Sequence, residues 1–254
     1  MKLNTPTLEE RLLVRKRPLG SPYMLQSWKA LSFLHIVVEP SIVQSLLPAG
    51  LSVDVFPDET GKEMAWVGLF CFKMENVRFP WMPSIPYFSH FPETNARTYV
   101  HRNGKDPAVW FLSLEASRWI ACQVARASFG LPYWHSRMQI KQAPRSIQYQ
   151  STRLDGPRPA RCDLTFESDN DLQPNPEPGS LEFFLLERYI LYSVKAGRLC
   201  MARVWHKPYS WHKSHIVAGT ESVLERAGVP TSPVMHVGFS PGVDVEVFKL
   251  EPVS

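Results

Sequence analysis

Residues 91–138 read FPETNARTYVHRNGKDPAVWFLSLEASRWIACQVARASFGLPYWHSRM, and the fold turns on this stretch. It reads as strand, hairpin, strand, short helix, strand. Period-two geometry puts Glu93, Asn95, Arg97, Tyr99 and His101 on one face of the first strand, with Thr94, Ala96, Thr98 and Val100 on the other. Polar alternation in a chain otherwise rich in apolar strands suits groups aimed into an enclosed space. There Arg97 offers a planar fork matched to a carboxylate, and Glu93 and Asn95 orient the ligand. A solvated face with Glu93 and Arg97 as a surface ion pair fits the same pattern. Asn103-Gly104 is a hairpin turn signal. Ala116, Trp119, Ile120, Val124 and Ala127 follow helical spacing and predict a helix over 115–129. Gly130 is its C-cap, and Pro132 prevents continuation. The next strand places Tyr133, His135, Arg137, Gln139 and Lys141 on one face. Solvent is the default for its outer part, and Tyr133 and Arg137, nearest the junction, are candidate site residues.

Toward the N-terminus, the pattern predicts a helix over 8–16 and a buried strand in WKALSFLHIVV, where His35 reads as a satisfied core residue. A helix follows Glu39-Pro40-Ser41 and runs to Leu47. LSVDVF and EMAWVGLFCFKMENVRF flank the turn-rich PDETGK. In the second of these, Trp66, Gly68, Phe70 and Phe72 alternate with Val67, Leu69 and Cys71; two apolar faces make it a central strand, with Trp66 as a cavity wall. The aromatic and Pro-rich PWMPSIPYF reads as a loop over a cavity mouth.

Toward the C-terminus come strands YWHSRMQIKQ, SIQYQSTR and ARCDLTFES, with a turn at DGPRP. Residues 169–180 read as a flexible loop. SLEFFLLER is a Ser-capped helix, followed by the hairpin YILYSV and RLCMARVWH, a helix near 220–227, and strands VMHVGF and VDVEVF. About ten strands, mostly joined by hairpins, and three or four inserted helices give an α+β fold with a curved, mostly antiparallel β-barrel and a few peripheral helices. One domain spanning 1–254 is expected, with 1–20 a peripheral segment.

Apolar residues at 44% and charged residues at 20% are ordinary for a globular protein. The apolar runs are too short to span a bilayer, and the first residues lack the apolar core of a signal peptide, so the expectation is cytoplasmic with no membrane partner. Cys71, Cys122, Cys162 and Cys200 form no C-x-x-C pair and read as reduced thiols. The net charge of +4 is interspersed, which argues against nucleic acid. Glu187, Arg188, Tyr189 and Tyr192 sit where a helix gives way to a strand; Glu187 is the candidate carried forward. His206, His212 and His215 lie across a loop containing Pro208 at a spacing that fits no metal pattern. No metal and no cofactor are expected, and His206 remains a candidate ligand-binding residue. No nucleophile elbow, Walker loop or dinucleotide fingerprint is present.

LSFLHIVVEPSIVQSLLPAGLSVDVF, AWVGLFCFKMENVR, FPETNARTYV, VWFLSLEA, LPYWHSRM, LLERYILYS and VWHKPYSWHKS, in this order, resemble the YqjF-like family of uncharacterised proteins. That family is distantly similar to acetoacetate decarboxylase, which implies a cone-shaped, curved barrel with an internal cavity. Decarboxylases of that kind place two adjacent lysines just after the Gly-x-Pro, one of them forming a Schiff base. Here Tyr133 and Trp134 stand there instead, and Lys141 lies about 26 Å further along an extended strand. The resemblance therefore implies the cavity without the nucleophile. The expected function is binding of a small organic ligand, such as a carboxylate or keto acid, in the cavity; self-association into a homo-oligomer stays open. The alternatives are a lyase- or hydrolase-type enzyme using Glu93 as general acid/base with Tyr133 or His206 assisting, and a partner-binding protein presenting PWMPSIPYF.

Overall fold

A computed structural model describes residues 5–156 and 158–253. Residues 1–4 of the N-terminal segment and Pro157 of the DGPRP turn lie outside the described residues.

Helix α1 (Leu8–Leu13) starts at Thr7, whose hydroxyl accepts from the Glu10 amide. It stops short of Lys16 because later carbonyls have other donors: Trp205 takes that of Arg15, and Arg203 those of Val14 and Lys16. Strand β1 (Met24–Val38), helix α2 (Pro40–Ser45), short strands β2 (Ser52–Val53) and β3 (Val55–Pro57), and strand β4 (Glu63–Arg78) follow. Helix α3 (Pro86–Ser89) interrupts the segment read as a loop, and then come β5 (Phe91–Arg102) and β6 (Lys105–Ala116). Their turn residues Asn103 and Gly104 have φ of 51° and 77°, the pair of positive values a type I′ turn requires.

Helix α4 (Trp119–Phe129) begins later than its spacing predicts, because β6 continues through Ala116. Gly130 ends it in the left-handed conformation. Next come β7 (Tyr133–Gln142), β8 (Ser146–Arg153) and β9 (Arg161–Gln173). The loop expected at 169–180 thus starts only after Gln173: Leu172 and Gln173 pair with β12 (Trp211–Glu221). Helix α5 (Leu181–Leu186) is capped by Ser180, and strands β10 (Ile190–Lys195) and β11 (Arg198–His206) form the expected hairpin. The His212–His215 segment is strand rather than loop. After α6 (Val223–Arg226), the two expected C-terminal strands are one, β13 (Val234–Val247). It tolerates Pro241 because the ladder to β1 passes over that position, Lys29 pairing with Gly242 and Leu31 with Ser240, where Ala30 has φ 49° and the register of β1 with β4 shifts. Strand β14 (Glu251–Pro252) ends the series of fourteen strands among the described residues.

Antiparallel pairing joins β13, β1, β4, β5 and β6 into one wall. Two arcs close on it. β10 and β11 bridge from Val109–Trp110 of β6 to the end of β13, while β7, β8, β9 and β12 bridge from Leu114–Ala116 of β6 to the middle of β13. The pairings of β6 with β10 and β7 are parallel and the rest antiparallel. The sheet therefore closes into two adjoining rings.

The wall is apolar on both sides, as β4 shows. Trp66, Phe70, Phe72 and Met74 pack toward β10 and β11, and Val67, Leu69 and Cys71 pack toward β8 and β9. Gly68 sits where there is no room for a side chain. A Cβ there would lie 2.7 Å from Phe70 and 2.9 Å from the His35 ring. Gly68→Ala should therefore cost about 1–3 kcal/mol of stability by overpacking, read as a lower midpoint in urea; an unchanged midpoint would mean the two rings can part freely.

Candidate functional site

A cavity of about 320 Å³ lies on the β10–β11 side of the wall. Its interior is mostly aromatic and aliphatic, with Phe70 and Phe72 of β4 and Leu114 of β6 among its walls. Its mouth lies between the 79–91 segment and α4, where Ile85, Phe88, Ile120 and Val124 are lining residues that are 41–53% exposed. That corrects the helix reading: Trp119, Ile120 and Val124 face the opening or solvent, and Cys122 and Phe129 anchor α4 to the core. The aromatic segment does border the mouth, although Trp81 itself points outward, 78% exposed.

The polar floor is the alternating face of β5. Glu93, Asn95 and Arg97 are all buried and all line the cavity. The register with β4 fixes this, since Glu93, Asn95 and Arg97 stand opposite Phe72, Phe70 and Gly68. Tyr133, the first residue of β7, donates its hydroxyl proton to Glu93 Oε2 at 2.9 Å. Burial pushes the Glu93 carboxyl up to about 7, against the pull of hydrogen bonds from Tyr133 and Asn95. Burial, then the Glu93 carboxylate, pushes the Tyr133 phenol well above its ordinary range. Asn95 Oδ1 has no hydrogen-bond partner.

Arg97 is not ion-paired with Glu93, so the surface-pair reading of β5 is overturned. Its guanidinium carbon lies over Phe70, 3.6 Å from the ring centroid, with one N–H directed at the Leu185 carbonyl at 3.4 Å. Its Nε has no partner. Among the described residues, the other buried guanidiniums have carboxylates: Arg153 has Glu115, and Arg188 has Asp54. Arg97 is the buried cation whose charge is left uncompensated, and it faces the cavity.

Arg188 and Tyr209 also line the cavity; Tyr209 did not stand out in the sequence, and Arg188 did so only as one of four residues at a helix–strand junction. At the α5–β10 junction it is Arg188 rather than Glu187 that reaches inward. Asp54 explains its orientation: the carboxylate, fully buried, accepts from Arg188 at 2.8 Å and twice from Arg11 at 2.7 Å. Burial would raise the Asp54 carboxyl, yet Arg188 and Arg11 hold it below the ordinary range. A single Asp in the apolar run LSVDVF was the available signal, because a buried charge needs a partner.

Four candidates fall outside the cavity. Trp66 shares the β4 face of Phe70 but lies beyond the cavity's far end, donating to the Phe56 carbonyl at 3.1 Å. Arg137 is exposed, because β7 leaves the cavity after its first residues. Glu187 is buried against Arg15 at 2.9 Å and accepts from Tyr189 at 2.6 Å. His206 is buried between Tyr189 and Tyr209, each ring centroid 4.7 Å away, with Nδ1 at 2.8 Å from the Lys207 carbonyl. Burial lowers its pKa to about 4, so it supports Tyr209 from behind as a neutral ring. His215 lies at the surface beside Glu167, so the three histidines do not converge. Among the described residues no group of three or more metal-binding side chains occurs, and no helix is long and apolar enough to cross a membrane. All four cysteines are free and buried.

No lysine lines the cavity among the described residues. What the β5 face and Tyr133 offer is one uncompensated cation, one carboxyl that burial raises to about 7, a phenol and an amide. Such a set can hold an anionic oxygen group and pass a proton at Glu93.

Residues 25–244 match the family DUF2071, described as an uncharacterized conserved protein. The uncharacterized protein YqjF of Bacillus subtilis (strain 168) is 30% identical over 230 residues, covering 86% of this chain and 88% of that one. Among solved structures, an acetoacetate decarboxylase-like enzyme from Sphingomonas wittichii RW1 is similar at a TM-score of 0.63 and 10% identity, over 94% of this chain and 96% of the other. The enduracididine biosynthesis enzyme MppR complexed with pyruvate is similar at 0.62 and 11%, over 94% and 93%. The acetoacetate decarboxylase of Legionella pneumophila subsp. pneumophila str. Philadelphia 1 gives 0.62 and 12%, over 94% and 91%. At these identities the likeness carries the fold.

Proposed function

Because the chain belongs to the DUF2071 family of uncharacterised conserved proteins, we propose a function from its own cavity: reversible binding of an organic carboxylate, with Arg97 as the anion anchor. The observation that carries this reading is the uncompensated Arg97 guanidinium, stacked on Phe70 and aimed into an apolar cavity. A buried charge without a partner is costly, and an incoming carboxylate supplies that partner. Glu93, neutral over part of the physiological range, donates to the ligand's second oxygen or to a neighbouring carbonyl, and Asn95 completes the set. The complex of pyruvate with MppR, an enzyme of similar fold, supports the carboxylate class.

The test is thermal unfolding with a panel of carboxylates and keto acids. A ligand at a hundred times its Kd stabilises by about 2.7 kcal/mol. Arg97→Met should weaken binding roughly 10- to 100-fold, the range of a lost charge-assisted hydrogen bond, while the folded protein persists. Equal binding by wild type and variant would remove Arg97 from the site.

A second reading is favoured by the Glu93 carboxyl near 7, a value matched to proton transfer at neutral pH. In it Glu93 is the general acid/base of a lyase- or hydrolase-type reaction on the bound carboxylate, with Tyr133 fixing its orientation. Turnover that disappears in Glu93→Gln while carboxylate binding survives would establish it over binding alone.

A further inference from the structure

We infer that the ligand is an amphipathic carboxylate: its head at Arg97 and an alkyl or aryl tail running out along the apolar cavity to the mouth between α3 and α4. This rests on the carboxylate reading above and deepens it. Three observations carry it together.

The first is the division of the lining. Most polar groups gather on the β5 face with Tyr133, Arg188 and Tyr209, and Gln26, Arg78 and Ser89 are the polar residues elsewhere in the lining; Phe70, Phe72, Met74, Phe91, Leu114 and Leu131 make up much of the remainder. A two- or three-carbon acid touches only the floor and leaves this apolar surface facing water. The second is length. From Arg97 to Phe91, beside the mouth, is roughly 20 Å along an extended strand at about 3.3 Å per residue, far beyond the reach of a small keto acid. The third is the opening itself. Ile85, Phe88, Ile120 and Val124 keep 41–53% of their surface exposed while lining the cavity, so a continuous apolar path leads from the floor to solvent. Helix α4 turns Ile120 and Val124 toward the opening, while its buried residues, Cys122 and Phe129, hold it to the core. A tail laid along this path removes apolar area from water on both surfaces. Arg97 at the inner end sets the orientation, head inward.

The experiment is a Kd series for unbranched carboxylates from acetate to dodecanoate, below their aggregation concentrations, by calorimetry on wild type, Arg97→Met, Val124→Asp and Ile85→Asp. Val124 and Ile85 are exposed enough for the charged variants to fold, and unfolding in urea verifies this. The expected result is affinity rising roughly fourfold per added methylene, the equivalent of about 0.8 kcal/mol each, until the tail reaches the mouth. For the longer acids, Val124→Asp and Ile85→Asp should flatten that rise; for the shorter ones they should change little. Arg97→Met should weaken the whole series by a constant factor. Affinity independent of length, with Arg97 still required, overturns the tail and leaves the anion site standing. A rise with length that neither mouth variant alters overturns the path. No binding at any length overturns both the tail and the carboxylate reading.

Discussion

Asp54→Ala should cost about 3–5 kcal/mol of folding stability, the size expected when a buried ion pair loses one partner. Asp54 is fully buried and holds two guanidiniums from distant parts of the chain, Arg11 of α1 and Arg188 after α5. Removing the carboxylate strands the Arg188 charge against Phe184 and Tyr99, whose ring centroids lie 4.3 and 4.8 Å from it. Arg11 is partly exposed and can turn to water; Arg188 cannot. The midpoint in urea should therefore fall sharply in Asp54→Ala. The double variant Asp54→Ala/Arg188→Met should regain part of the loss, because an apolar side chain of similar length removes the stranded charge. Additive losses in the double variant would show that the two groups do not depend on each other.

The second large effect is a pH dependence with two opposed parts. Glu93 has its folded pKa raised to about 7 from 4.5, so the folded state holds its proton more tightly than the unfolded state does. Its contribution is fully present below pH 4.5, falls as pH rises, and is about 3 kcal/mol lower above pH 7, at 1.36 kcal/mol per pH unit. His206 runs the other way. Its folded pKa of about 4 lies below 6.5, so its contribution is present above pH 6.5 and lost toward pH 4, again by about 3 kcal/mol. His35 and His236, also lowered first by burial, act in the same direction as His206. The Glu93 part is isolated by subtraction. The stability of Glu93→Gln minus that of wild type should grow by about 3 kcal/mol between pH 4.5 and 7 and then level off. Parallel curves would mean that Glu93 titrates as it does in water, and the acid/base reading would lose its support.

Much of the architecture was legible because it is local. Asn103-Gly104 marked the turn, Gly130 and Pro132 marked the end of α4, and the alternation of β5 set Glu93, Asn95 and Arg97 on one face, although it left open whether that face met a cavity or solvent. Two apolar faces on β4 marked it as central. What stayed hidden depends on pairing across the chain. That β6 and β13 each split their free edge between two arcs is a property of the assembled sheet, and no window of sequence contains it. For the same reason Trp66, with the right parity, lay too far along β4, and Arg137 lay too far along β7. Glu187 and Arg188 could not be ranked without Arg15 and Asp54, which decide where each points. Pro241 split β13 into two expected strands because the irregularity that accommodates it, at Ala30, lies in β1.

The wall between the rings has a consequence for how such a protein diversifies. Consecutive residues of β4 belong to separate compartments: Phe70 and Phe72 look into the cavity, while Leu69 and Cys71 hold the other core. Selection on what the cavity admits therefore acts on Phe70, Phe72 and Met74, and selection on foldability acts on their odd-numbered neighbours. A lineage can drift in one set while the other stays fixed, with no rearrangement of the backbone. Relatives that accept different ligands should then differ along this strand at every second residue, a two-beat rhythm of change and constancy in which parity separates appetite from architecture.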